Sequence, residues 1–374
     1  MNITAPNIFK FATKELSQDA FFCWLLSFGK PEYSTSEFKE LHLVALDLLY
    51  SFTDDNSLIV KGINITTQKS KIDIWIEVTT DNAKQLIIIE DKTNSNAGSN
   101  QLATYSKIAN DFCIENGFSE FFCIYLKTGN EAKRVFERSA SHENWKYFSL
   151  ENLMNILDVR ANKIDHPFFQ DFYKINHSKK QLNENFEKHI NKEDYERCKG
   201  EIIQAFYARL EKDDIFRYHN FADGPGYRKY YSNDYIYNEV KPNIYLQLDH
   251  LSLTLKVDLG EMRDETGKQY KKFQQQLRKK NIRLIFDGVR TVFQNHDQFK
   301  ATLKRPTNFS VHNFLTVGKI DHKRWLRFDS DGNLDYHETK RNIENLKCKV
   351  DEVTEANRKT IIDIIANGLQ QPII

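Results

Sequence analysis

Two apolar runs stand five residues apart, KIDIWIEV at 71–78 and KQLIIIEDK at 84–92. Both are rich in β-branched residues and read as consecutive strands joined by a short connection. Yet Asp73 interrupts the first, and Glu90, Asp91 and Lys92 end the second. Alternate side chains of a strand share a face, with a rise of about 3.3 Å per residue. Glu90 and Lys92 therefore point the same way, roughly 6–7 Å apart along the backbone. Asp91 points the other way, while its main-chain carbonyl can face the Glu90 and Lys92 side. If the two strands are neighbours, Asp73 comes close to Glu90. Two carboxylates, a carbonyl oxygen and an ammonium then meet at one end of a sheet. Charged residues also end ordinary strands where the chain returns to water. The E-x-K spacing recurs at Glu131-Ala132-Lys133 and Glu338-Thr339-Lys340, but neither follows an apolar strand with an Asp in the strand before it.

The surrounding pattern places these runs in an α/β layer. SQDAFFCWLLSFGKP reads as a buried helix with Ser17 as its cap and Gly29 and Pro31 as its stop. EFKELHLVALDLLYSF has the apolar recurrence of a second helix. SLIVKGINIT is a third strand-like run, ahead of the two described. NQLATYSKIANDFCIENG is helical and ends at a glycine; EFFCIYLKT and NWKYFSL are further strands, leading into the helix ENLMNILDVR. A meander followed by a crossover gives a mixed sheet flanked by helices. This first domain is expected to span residues 1–175, with the polar stretch NHSKKQLNENFEK after it as a linker or an exposed helix start.

Residues 186–374 are expected to form a C-terminal α+β domain. EDYERCKGEIIQAFYARLEK reads as a helix, NIYLQLDHLSLTLKVDL as a strand pair turning at Asp249-His250, GKQYKKFQQQLRKK as a basic helix, and ANRKTIIDIIANG as a C-terminal helix. The net charge of +1 hides an asymmetry: residues 271–330 hold fourteen Lys/Arg against four Asp/Glu, so the rest of the chain is net −9. Arg278, Lys279, Lys280, Lys304 and Arg305 are the basic residues there expected to hold nucleic acid, since such side chains neutralise phosphates. Phe273, Phe286, Phe293 and Trp325 either stack on unpaired bases or simply fill a core. No helix-turn-helix or zinc-finger signature supports sequence-specific reading.

Composition removes other classes. No apolar run reaches the roughly 18 residues of a membrane span, and the N-terminal residues lack a signal-peptide layout, so the cytoplasm is the expected location. Five scattered cysteines without a C-x-x-C, and no H-E-x-x-H, leave carboxylates as the groups to hold a metal. Mg²⁺ suits a few carboxylates plus water and substrate oxygens, and such an ion activates water and offsets phosphate charge. A nearby lysine orients the attacking water and offsets repulsion between the acids.

Asp73, then Glu90-Asp91-Lys92 after LIII, in the order helix, three strands, helix, strand, resembles the PD-(D/E)XK nuclease superfamily. Gln101 and Tyr105 in QLATY resemble the Q-x-x-x-Y element of some branches, and KELSQDAFFCWLL resembles the acidic first helix. The resemblance covers roughly residues 10–150 and implies a restriction-endonuclease-like fold. It implies Asp73 and Glu90 as metal ligands with the Asp91 main-chain carbonyl, Lys92 as the catalytic lysine, and Gln101 and Tyr105 as groups that position the substrate backbone or the lysine. Glu15 would be a further ligand or lysine partner, with Asp19 one turn on; a helix-dipole acid is the plainer reading of Glu15, and a core aromatic that of Tyr105. Ile72 stands where the motif has proline, and Asp91 where an apolar residue is frequent. That acid could add a supporting charge or compete with Glu90 for the metal. The implied activity is Mg²⁺-dependent phosphodiester hydrolysis, with Mn²⁺ able to substitute. DNA is favoured over RNA only through the family, in restriction, repair or defence against foreign DNA. An inactive nuclease fold serving as a nucleic-acid- or protein-binding regulatory module is the alternative. Oligomeric state is left open, a homodimer included.

Overall fold

The computed structural model describes residues 15–35, 37–93, 95–98, 100–131, 136–137, 145–198, 200–216, 218–221, 224–231, 243–258, 279–300, 303–304 and 314–370. The chain divides into two compact units, residues 1–184 and 185–374. No helix among the described residues is long and apolar enough to cross a membrane.

The first unit runs α1 (Glu15–Ser27), α2 (Lys39–Thr53), β1 (Gly62–Lys69), β2 (Ile72–Thr79), β3 (Lys84–Lys92), α3 (Gln101–Asn116), β4 (Glu120–Lys127), β5 (Trp145–Ser149), α4 (Leu150–Leu157) and α5 (Pro167–Glu184). The strands lie in the order β1-β2-β3-β4-β5. β1, β2 and β3 pair antiparallel, and β3, β4 and β5 pair parallel. Parallel neighbours need a crossover, which puts α3 on one face of the sheet. β3 is central and covered on both faces, which is why its apolar run is unbroken. Leu86 and Ile88 pack with Trp75, Leu102 and Tyr105 beneath α3. Ile87 and Ile89 pack on the other face with Phe22, Leu25, Leu48 and Phe172. This is the mixed, helix-flanked sheet expected of a restriction-endonuclease-like fold.

Two boundaries differ from expectation. β1 starts at Gly62, not Ser57: Leu58 and Val60 are buried without belonging to the strand. The polar stretch 176–188, expected as a linker or helix start, continues α5 to Glu184, where Asn176 is buried and donates to the Phe172 carbonyl.

The second unit contains α6 (Glu201–Lys212), β6 (Tyr218–Phe221), β7 (Gly224–Tyr231), β8 (Asn243–Asp249), β9 (Ser252–Asp258), α7 (Lys279–Gln294), β10 (Leu303–Lys304), β11 (Phe314–Ile320), α8 (Tyr336–Ala356) and α9 (Arg358–Gln370). Its strands form an antiparallel sheet in the order β10-β11-β9-β8-β7-β6. α6 is shorter than expected, since Tyr195–Arg197 is a separate 3-10 turn and Gly200 has φ +60°. The β8–β9 turn is centred on His250 and Leu251, one residue later than expected; both have positive φ, the geometry that matches strand twist in a two-residue hairpin. The basic run 267–280 lies outside the described residues up to Lys279, where α7 begins. Gly288 lets α7 approach α9: a Cβ there would sit 2.7 Å from Ile364 Cγ2.

Asp213 ties α6 to α8, accepting from the Tyr336 hydroxyl at 2.9 Å and Lys340 Nζ at 3.2 Å. Burial works to raise its pKa, but these donors and Arg209 lower it on balance. A depressed acid stabilises the fold above its unfolded pKa and loses that contribution as pH falls through the folded value. Asp213→Asn should therefore lower the melting temperature by about 3 °C or more at pH 7. The gap from wild type should narrow as the pH falls below the ordinary Asp range and through the depressed folded value; a gap independent of pH would contradict the assignment.

Candidate active site

The β1–β2 hairpin turns at Ser70 and Lys71, with φ of 54° and 70°. Neither is glycine, so the turn carries strain that something must hold. The Tyr105 hydroxyl donates to the Lys71 carbonyl at 2.7 Å, two residues before Asp73. Gln68 Nε2 donates to Asp73 Oδ1 at 3.0 Å. The β2–β3 ladder ends at Ile74 and Ile89, and beyond it the Asp91 N–H donates to Asp73 Oδ2 at 2.9 Å. Asp73 thus takes over a ladder donor where the strands part, and both its oxygens are fixed.

Glu90 and Lys92 lie on the α3 face, as their spacing requires. Glu90 is fully buried. Its Oε1 accepts from Lys92 Nζ at 2.5 Å and from Gln101 Nε2 at 2.7 Å. Its Oε2 is closed off from solvent with no donor among the described residues. Burial and then the Asp73 charge push the Glu90 carboxyl up to about 7, against the pull of Lys92. Burial acts to lower the Lys92 pKa, but Glu90, Asp73 and Glu15 outweigh it and hold the ammonium charged. Lys92 Nζ lies 3.5 Å from Asp73 Oδ2, 4.0 Å from Glu15 Oε2, and 3.0 Å from the Asp91 carbonyl it donates to. Three carboxylates and a carbonyl oxygen surround one cation.

Gln101 and Tyr105, one helical turn apart, share a face of α3. Gln101 Nε2 also reaches the Tyr105 hydroxyl at 3.1 Å, and its Oε1 accepts from the Gly98 N–H at 3.0 Å. Gln101 therefore fixes Glu90, and Tyr105 fixes the hairpin that carries Asp73. Neither side chain bonds Lys92 directly: Gln101 bonds Glu90, and Tyr105 bonds the Lys71 carbonyl.

Glu15, at the start of α1, accepts through Oε1 from the Thr93 N–H at 3.0 Å and Ser95 Oγ at 2.6 Å. It docks on the segment that follows β3. Lys127, the last residue of β4, pairs in register with Lys92, is fully buried, and donates to the Ser95 carbonyl at 2.5 Å. Burial lowers its pKa, against the nearby Glu131. The sequence reading passed over this lysine; its signal was a charge ending an apolar strand, as Lys92 does.

The Asp91 side chain points to the α1 face, where it does not compete with Glu90. Gln18 Nε2 donates to Asp91 Oδ1 at 2.5 Å, and Gln18 Oε1 accepts from Thr128 Oγ1 at 3.0 Å. Asp19 lies against Asp91 rather than Lys92. Burial, then the Asp73 charge, pushes Asp19 up to about 6, and burial followed by Asp19 pushes Asp91 well above the carboxylate range.

Glu90 Oε2, the Asp73 carboxylate and the Asp91 main-chain oxygen are hard oxygen donors of the kind Mg²⁺ takes. Among the described residues no three His, Cys, Asp or Glu side chains close into a metal-holding group; the acids here share Lys92 instead.

Of the expected nucleic-acid contacts, Arg278 and Arg305 lie outside the described residues. Lys279 and Lys280 open α7 and Lys304 ends β10; their side chains lie outside the described part. Phe286, Phe293 and Trp325 are buried in the core, so they fill it rather than stack on bases, and Phe273 lies outside the described residues. Of the two further E-x-K triplets, Glu338 and Lys340 lie on α8 with Thr339 buried between them; in the other, Glu131 accepts from the Tyr125 hydroxyl, and Ala132 and Lys133 lie outside the described residues.

No curated protein and no solved structure matches the chain. A family model of the PD-(D/E)XK nuclease superfamily matches residues 6–195, half of the chain, and contains every residue of the site above. With Asp73, Glu90 and Lys92 brought together at one end of a mixed sheet, the chain belongs to the PD-(D/E)XK nuclease superfamily.

Proposed function

We propose that the chain is a divalent-metal-dependent nuclease that hydrolyses phosphodiester bonds, with DNA favoured as substrate and Mg²⁺ as the ion, Mn²⁺ substituting. The observation that carries this reading is the fully buried Glu90 whose Oε2 has no donor among the described residues, beside an Asp73 with both oxygens fixed. A buried carboxylate oxygen without a partner is costly, and a cation relieves it. Asp73, Glu90 and the Asp91 carbonyl would hold the ion, with Glu15 beside them. When bound, the ion activates water and neutralises charge on the scissile phosphate.

The chain's own groups do the rest. Lys92 orients the attacking water and offsets charge developing on the phosphate. Gln101 keeps Glu90 turned toward the site, Tyr105 holds the Asp73 hairpin, and Glu15 binds the segment after β3 to α1. Lys127 is a positioning residue for that segment. Restriction, repair and defence against foreign DNA are the roles that suit such an activity.

The test is binding against turnover. Ca²⁺ should support binding of duplex DNA but little cleavage, because its larger, looser shell orients a nucleophile poorly. Equal cleavage in Ca²⁺ and Mg²⁺ would oppose the reading. Glu15→Gln and Gln101→Ala should each lower turnover by about 10- to 100-fold, as loss of groups that orient ligands does, with substrate affinity nearly unchanged. A lowered melting temperature with full turnover would assign both residues to structure alone.

A further inference from the structure

In the second unit, α8 presents two stripes. Ile343, Leu346, Val350 and Val353 are buried in the core. Asn342, Asn345 and Lys349, with Leu346 at the border, face a cleft of about 390 Å³. These positions follow the i, i+3, i+4, i+7 spacing of one helix face. Opposite them the cleft is lined by Arg324 and Arg327, which stand after β11. Helix packing does not need this polar stripe, since the neighbouring stripe supplies the core.

The lining is rich in donors that lack acceptors. Among the described residues the Arg324 and Lys349 side chains make no hydrogen bond or ion pair. Asn342 Nδ2 is closed off from solvent and has no partner. Buried donors are paired in almost all proteins, so an unpaired one marks a missing acceptor. Arg327 Nη1 donates to the carbonyls of Lys323 at 2.6 Å and Leu326 at 2.9 Å, which fixes its guanidinium before any ligand arrives. Against these three cations the described lining of the cleft has a single acid, Asp297. Arg and Lys are donors only; their complement is an anion with several acceptor oxygens.

We propose that this cleft is a phosphate-binding site and that its ligand is the sugar-phosphate backbone of the nucleic acid. The choice of a polynucleotide rests on the nuclease reading of the first unit. Trp325 beside the cleft is fully buried and offers no face to a base. The contact is therefore with backbone, which positions a duplex without reading its sequence.

The experiment is a titration of a fluorescent 20-base-pair duplex in Ca²⁺, at salt from about 50 to 200 mM, with wild type and the double variant Arg324→Gln/Lys349→Gln. Each lost phosphate contact removes about 0.9 from the slope of log affinity on log salt, so the variant should flatten the slope by about 2. Its melting temperature should match wild type, since neither side chain has a partner to lose. Asn345→Asp, at an exposed position, should weaken binding by adding a negative charge. An unchanged slope overturns the proposal. Parallel titrations with inorganic phosphate and a nucleoside triphosphate separate the sources. Saturable binding of either, lost in the double variant while the duplex slope stays, would overturn the backbone assignment in favour of a small phosphate ligand. Cleavage in Mg²⁺ is measured alongside. Wild-type cutting with an unchanged slope sinks the cleft alone, and a flattened slope without cutting sinks the hydrolytic reading alone.

Discussion

Glu90→Ala should abolish cleavage, by at least about 10³-fold, equivalent to about 4 kcal/mol of lost transition-state stabilisation. Glu90 is the acid most fully committed to the site: it is buried, bonded to Lys92 and Gln101 through Oε1, and its Oε2 has no donor among the described residues. Asp73→Ala should do the same, with an added stability loss because the Asp91 N–H and Gln68 lose their acceptor. Lys92→Ala removes the ammonium that offsets charge on the phosphate, a loss of about 10²–10³. It also leaves Glu90 and Asp73 facing each other without a cation, so duplex binding in Ca²⁺ should be retained while the metal-free protein loses stability. Turnover, duplex affinity and melting temperature of the three variants check this. Full activity in all three would remove the site from the chemistry.

Lys127→Met is the second large effect expected. A fully buried ammonium is expensive unless it is paired and hydrogen-bonded, and this one donates a hydrogen bond to the Ser95 carbonyl. Ser95 in turn donates to Glu15, whose other oxygen faces Lys92. The methionine keeps the volume and removes the tether. Turnover should fall by about 10- to 100-fold, with duplex affinity in Ca²⁺ unchanged. The discriminating measurement is a double-mutant cycle with Glu15→Gln. If Lys127 acts through Ser95 on Glu15, the double variant should lose little more than the worse single variant. Losses that multiply would mean that Lys127 acts independently of Glu15.

The site's centre was legible because a period of two is strict. Once KIDIWIEV and KQLIIIEDK are adjacent strands, Glu90 and Lys92 must share a face and Asp73 must lie near them. β3 spans Lys84–Lys92 in the structure as in the sequence reading, since buried isoleucines between charged ends define a central strand. Gln101 and Tyr105 were legible by helical spacing, but their partners were not; which acid a glutamine holds depends on where α3 docks. Lys127 was hidden because a lysine ending a strand ordinarily reaches water, and only the parallel register with β3 reveals its neighbour. The Asp19–Asp91 pair was hidden for a similar reason: residue types do not say which face of α1 meets β3. α8 escaped notice because its buried Ile343, Leu346, Val350 and Val353 are spaced by charged residues in a run of low hydropathy. β1 was read too early because Leu58 and Val60 are buried without joining the sheet.

The central claim is that Glu90 and its neighbours hold a divalent ion that hydrolyses nucleic acid. The most direct measurement incubates the purified protein and Glu90→Gln with linear, circular and single-stranded DNA and with RNA, in Mg²⁺ and in chelator. The account predicts cutting of at least one DNA substrate by wild type in Mg²⁺, none in chelator, and none by Glu90→Gln, which keeps the side chain's size and its fold. Cutting that persists in chelator, cutting by Glu90→Gln at the wild-type rate, or a folded wild type that cuts none of the substrates in Mg²⁺ or Mn²⁺ would contradict it.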